Sequence, residues 1–243
     1  MRSYIPAIII ATTIILASLI IASVAKYRFR SHETISVTGL AEKDFTSDLV
    51  VWEGSFSRRS MDLRSAYAAL KQDEAAIRQY LSRKGIGPGE MVFSSVQINK
   101  EFNPRTDENG RHLSQEFAGY NLMQTVKIES AKVDQIEKIS REATEIIESG
   151  IEFNSPAPSY YYSKLSDIKI DLLAKASNDA RQRAETIAKN SGSDLGALRK
   201  ANMGVFQITG KNSNENYSYG GAFNTWDKMK TGSITIKMEF AVD

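Results

Sequence analysis

The chain has 243 residues, is 42% hydrophobic and 25% charged, and carries a formal net charge of +2, a length that suits one elaborate domain or two small ones. It contains no cysteine, which excludes thiol catalysis, disulfides and Cys-ligated zinc. A charge so near balance offers no concentrated basic face of the kind nucleic acid requires, so no nucleic-acid partner is expected.

Residues 5–25 form a 21-residue run without a charged side chain. As a helix it would be about 31 Å long, matching a hydrocarbon core of about 30 Å. Ile5, Ile10, Ile15, Ile20 and Val24 mark it. Two readings compete: a single membrane anchor, and a signal peptide cleaved after Ser23-Val24-Ala25. The run is long for a signal peptide, which favours the uncleaved anchor, with the lipid bilayer as partner. Arg2 and the amino terminus stand before it; Lys26, Arg28 and Arg30 follow. That asymmetry mildly favours placing the C-terminal bulk in the cytoplasm.

Alternation then begins. Ile35 and Val37 face one way, and 49–57 reads as a strand with Val50, Trp52 and Phe56 in phase. A helix over about 61–84 carries the stripe Leu63, Ala66, Tyr67, Leu70, Ile77 and Leu81. Gly85, Gly87 and Gly89 follow a helix and open a strand, the reverse of a phosphate loop, so they read as a cap and turn. Residues 91–102 predict one strand, 103–111 a polar hairpin tip with Asn109-Gly110, and 116–129 the returning strand. A second helix spans about 132–149, stopped by Gly150. Extended chain follows over 151–153 and 158–163.

A long helix is predicted over 166–191, with Ser166-Asp167 as its N-cap signature. Its stripe is Ile168, Leu172, Leu173, Ala176, Ala180, Ala184, Ile187 and Ala188. Small residues at its centre let such a helix lie close on a sheet. Gly192 and Gly196 end it. Residues 201–209 and the alternating Ile234, Ile236, Met238 and Phe240 read as strands. Two similar units emerge, each a strand, an amphipathic helix, a glycine stop and a further strand.

Little in this pattern carries chemistry. His32 and His112 are far apart and lack the partners a metal or catalytic site needs, so no metal and no cofactor is expected. Gly54-Ser55-Phe56-Ser57 fails the nucleophile-elbow pattern because Arg58 stands where glycine should be. Glu101, Asp107 and Glu108 near the hairpin tip read as a solvated cluster. The chain is therefore expected not to be an enzyme. Aromatics are the best candidates for meeting a partner: Tyr160 and Tyr162, and Tyr217, Tyr219, Phe223 and Trp226 in the polar loop over 211–229, which reads as disordered or as a contact surface.

An ordered set of residues carries a resemblance. It runs Ile35-Ser36-Val37-Thr38-Gly39, Lys84-Gly85-Ile86, Ser94-Ser95, Ala118-Gly119-Tyr120, Ser149-Gly150-Ile151, Asp179-Ala180-Arg181 with Arg183-Ala184-Glu185, Ser191-Gly192, Leu195-Gly196 and Gly232-Ser233-Ile234. In that order it resembles the SIMPL domain family of YggE-like bacterial cell-envelope proteins, over about 33–242. The resemblance implies an α+β fold with duplicated strand-helix units in an antiparallel-rich sheet covered by amphipathic helices, following the N-terminal transmembrane helix read from 5–25. Two segments are therefore expected, an anchor with its basic flank over 1–30 and a SIMPL-like domain over 33–243. The resemblance further implies a cell-envelope location facing the periplasm, homo-oligomers and, in some relatives, a link to oxidative stress, and it supplies no catalytic residue. The implied location outweighs the charge asymmetry. Ser47 stands before Asp48 where the family often has proline, and the loop over 211–229 is one the family varies.

Overall fold

A computed structural model describes residues 5–30, 33–106 and 112–242, with side chains over 10–22, 33–105 and 114–242. The first element, α1 (Ile5–Arg30), is helical throughout. Among the described residues no helix is long and apolar enough to cross a membrane. The side chains of α1 are described only over 10–22, about 20 Å of helix; those of Ile5 and Val24 lie outside that set.

Beyond α1 the alternating segments pair into two antiparallel sheets. One contains β2 (Leu49–Ser60), β3 (Met91–Phe93), β4 (Gln97–Thr106), β5 (His112–Ser130), β6 (Glu152–Asn154) and β7 (Ser159–Tyr161). β2 and β5 lie side by side at its centre, β3 and β4 flank β5, and β6 and β7 flank β2. Two helices, α2 (Leu63–Arg83) and α3 (Val133–Glu142), connect these strands. The path is β-α-β-β-α-β with β5 inserted between two strands that run alike, a split β-α-β arrangement. Even-numbered residues of β2 and β5 turn inward: Val50, Trp52, Phe56, Leu122, Val126 and Ile128 form a core with Leu70, Ile77 and Ile136 of the helices.

The other sheet holds β1 (Thr34–Thr46), β8 (Leu195–Met203), β9 (Gln207–Gly210) and β10 (Met229–Val242). β10 is central, with β1 on one side and β8 and β9 on the other. The long helix α4 (Leu165–Asn190) covers it, and its fully buried Ala176, Ala180 and Ala184 join Val37, Ala41, Ile234, Ile236 and Met238 in a second core. The expected α+β class, antiparallel sheets and covering helices are all present; the strands form two sheets, each with its own core.

Glycine ends α2, α4 and the 3-10 turn Ala143–Ser149 that continues α3. Gly85, Gly150 and Gly192 have φ of 88°, 73° and 75°, values that cost other residues strain. After α2, Ile86 N–H donates to the Leu81 carbonyl and Gly85 N–H to Ser82. After α4, Ser193 and Gly192 do the same to Ala188 and Lys189. Both ends are Schellman motifs.

Four expected boundaries move. The strand over 91–102 breaks after Phe93, because the Ser94 hydroxyl accepts the Thr125 N–H and the Gln124 amide donates to the Ser94 carbonyl. The strand over 201–209 is two strands hinged at Gly204, where a Cβ would sit 2.6 Å from the Thr235 hydroxyl. The helix to 149 tightens after Glu142, whose carbonyl accepts the Tyr80 hydroxyl at 3.0 Å. Finally, α4 starts at Leu165 after Lys164 and has no side-chain cap, so Ser166-Asp167 lies in its first turn. The Asn109-Gly110 tip, Asp107, Glu108 and His32 lie outside the described residues, as does the side chain of His112.

Candidate functional site

The two sheets meet at the turn between β1 and β2. The Asp48 carboxylate accepts the Ser163 N–H at 2.7 Å and its hydroxyl at 2.6 Å, while Asp48 N–H donates to the Tyr161 carbonyl. Burial raises the Asp48 carboxyl, but these donors outweigh it and leave it below the ordinary carboxylate range. Ser47 N–H donates to the Lys228 carbonyl, and the Lys228 ammonium pairs with Asp134 and Glu137 of α3. This joint places the loop over 211–228 beside both sheets.

The loop is organised by buried polar side chains of its own and of the flanking strands. Gln207 donates to the Ser218 carbonyl, and its own carbonyl accepts from Ser218 and Ala222 N–H. The Asn224 amide donates to Glu215 at 2.6 Å and to Asp227 at 2.9 Å. Lys230, 2% exposed, donates to the Asn224 backbone carbonyl at 2.6 Å. Burial pushes the Lys230 ammonium below its ordinary value, against the attraction of Asp227 and Glu215. The Gly210 N–H and the Asn224 amide hold Glu215 low. Hydrogen bonds this numerous order the loop, which removes disorder from the two alternatives expected of it. Periodicity could not show it, because buried Gln207, Asn224 and Lys230 read in sequence as solvated residues.

The six aromatics singled out in the sequence do not converge. Tyr160 is buried in the first core, which removes it from any contact surface. Tyr162 packs on the second core, its ring 5.0 Å from that of Phe45. Tyr217 and the fully exposed Tyr219 border a pocket of about 230 Å³ with Leu40, Val205 and Thr235, and Ser233 donates to the Tyr217 oxygen at 3.3 Å. Phe223 stands 6.5 Å from Tyr161, and Trp226 is 74% exposed.

Tyr161 enters the sequence reading only as the middle of the run Tyr160-Tyr161-Tyr162 and is not among the six aromatics singled out. Alternation along β7 would have found it, since burial of Tyr160 sends its neighbour outward. Tyr161, Leu49, Val51, Pro156 and Ala157 line a groove of about 510 Å³ on the helix-free face of the first sheet, with Glu53 and Lys127 also at its walls. Such a site can hold an apolar or aromatic group by contact. Among the described residues no group of three or more His, Asp or Glu side chains is placed to hold a metal ion.

A comparison with curated proteins finds no significant match. The family comparison does: residues 35–239 match the model described as SIMPL, a protein of unknown function (DUF541). That match spans both sheets and all three of their helices, and the chain belongs to the SIMPL family.

Proposed function

We propose that the chain is a single-pass protein of the bacterial inner membrane whose globular part faces the periplasm, self-associates and works through its surfaces, without bond-making chemistry. The observation that carries this reading is α1. Ile10, Ile14, Ile15, Leu16, Leu19, Ile20 and Ile21 each expose 58–67% of their surface. Ile14, Ile15 and Leu16 are consecutive, so they point to three sides of the helix. A helix apolar all round is stable only when covered, and covering seven such side chains is worth on the order of 10 kcal/mol. The Ser18 hydroxyl donates back to the Ile15 carbonyl at 2.8 Å, as lipid demands of a polar group. The sequence over 5–25 supplies the length that the described side chains alone do not.

Self-association is supported by the family resemblance and by the edge strand β8 of the second sheet; the resemblance alone suggests a stress-related role. Two measurements test the reading. A C-terminal tag should be open to protease in spheroplasts, and protection there would overturn the orientation. Removal of residues 5–25 should move the protein out of the membrane fraction, and its staying there would overturn the anchor.

The groove beside Tyr161 and Phe223 favours a second reading, a ligand- or peptide-binding envelope module. Saturable quenching of aromatic fluorescence by small aromatic ligands would support it. Unchanged quenching in Tyr161→Ala would remove its basis.

A further inference from the structure

The outer edge of β1 is sealed along one part and open along another. In the β1–β10 ladder, Gly39 faces Ile236 and Leu40 faces Thr235. Gly204 N–H donates to the Thr235 carbonyl at 2.8 Å, so Thr235 directs its backbone toward β8 and away from β1. Its neighbour across the ladder, Leu40, must therefore direct its own N–H outward. It does: Leu40 N–H donates to the Asp179 carboxylate of α4 at 2.9 Å. Two residues back along a strand repeats the direction, so Ser36 and Thr38 also present N–H and C=O outward.

Different partners meet these groups. Asp179 of α4 closes the edge at Leu40, and farther along the Lys43 ammonium of β1 is bound to Asp171 of α4 at 2.9 Å. At Ser36 and Thr38, no hydrogen bond outside the ladder takes the outward N–H groups among the described residues. The flank of α4 stands off there and leaves an open groove of about 630 Å³, walled by Val37 and Thr38 on the strand and Gln182, Arg183, Thr186 and Ile187 on the helix. Ile187 is 46% exposed. Arg183 is tied to Asp179 at the closed end, so the groove wall has no strong net charge.

We propose that this groove binds an extended peptide of a partner protein, which adds as a strand to β1 at Ser36 and Thr38 and lays an apolar side chain on Ile187. Unpaired strand-edge groups select an extended backbone by hydrogen bonding, and the adjoining pocket selects a side chain. The paired Asp179–Arg183 end favours an uncharged segment over an acidic or basic one. The seal at Leu40 limits the added strand to a few residues. The inference stands independently of whether α1 lies in lipid.

The test uses the full chain in lipid nanodiscs and a displayed library of random linear decapeptides. Enriched peptides should slow amide exchange at Ser36 and Thr38 about tenfold and leave Leu40 unchanged. Binding should weaken about tenfold or more in Thr38→Pro, which removes one edge N–H, and in Ile187→Glu, which leaves the backbone intact should the proline variant not fold. The proposal is overturned if no peptide enriches, if binders protect amides elsewhere, or if they bind Ile187→Glu as well as the parent. It is equally overturned if Ser36 and Thr38 are already protected in the free protein and lose that protection on dilution, which would assign the edge to a second copy.

Discussion

Gly39 of β1 lies directly under Ala180 of α4: a Cβ on Gly39 would stand 2.6 Å from the Ala180 nitrogen and 2.8 Å from its Cβ. The same added atom would come within 2.2 Å of the Ala176 carbonyl oxygen. Two small-residue surfaces therefore meet backbone to backbone, and this contact sets the depth at which α4 sits on the second sheet. Gly39→Ala should destabilise the protein by about 3 kcal/mol, the upper range for overpacking, because the clash is with backbone. Urea unfolding checks it; a loss below about 0.5 kcal/mol would show that α4 can lift without penalty.

The first core has a polar counterpart to that contact. Arg58 forms two hydrogen bonds with Asp73, one of them at 2.7 Å, and Asp73 lies buried on α2. Removing one partner of a buried pair costs about 3–5 kcal/mol, less where one partner reaches water. Because the Arg58 side chain is 33% exposed, Asp73→Ala should cost about 2 kcal/mol. The double variant Arg58→Met/Asp73→Leu should recover most of that loss. A double variant less stable than the single one would contradict this account.

The two sheets should separate more easily without Asp48. Asp48→Ala removes two charge-assisted hydrogen bonds to Ser163 and should cost about 2 kcal/mol. The effect depends on pH. The folded Asp48 carboxyl sits below its ordinary value, so the unfolded chain takes up its proton first as pH falls. Its contribution is complete above the ordinary carboxylate value and is lost as pH falls through the folded one. The stability gap between the parent and Asp48→Ala should therefore be flat from neutral pH to about pH 5 and shrink below it. A gap that widened in acid would reverse the assignment.

Lys230 gives the opposite dependence. Its folded value lies below the ordinary 10.5, so between the two the unfolded state holds the extra proton and stability rises with pH. Relative to Lys230→Met, the parent should gain stability as pH rises toward 10.5. The variant also strips the Asn224 carbonyl of its donor. Hydrogen exchange over 211–228 should speed up by about tenfold or more, while α2 and β5 stay protected. Unchanged exchange would mean that Gln207 and Asn224 fix the loop without Lys230.

The division between what the sequence disclosed and what it hid is physical. Strong periodicity exposed α2, α4, β2, β5 and β10, because each buries one regular face, and glycine stops after α2, α3 and α4 were visible because only glycine fits their backbone. Side-chain hydrogen bonds at Ser94, and at Gly204 a backbone N–H turned onto the Thr235 carbonyl, broke strands that apolar phase made continuous. The loop was opaque because Gln207, Asn224 and Lys230 are buried against type. Of the six aromatics named, Tyr160 went to a core and Tyr161 replaced it at the surface, a one-residue choice of face that alternation permits either way. The division into two sheets depended on long-range pairing of β1 with β10, which no local pattern encodes.

The central proposal is a self-associating protein held in lipid by α1, and the mass of the native full-length particle tests it most directly. Extracted from membranes in mild detergent and measured by light scattering with the detergent subtracted, it should be a multiple of the 27.0 kDa chain mass. A 27.0 kDa species recovered from the aqueous fraction without detergent, monomeric at every concentration, would contradict both parts of the account.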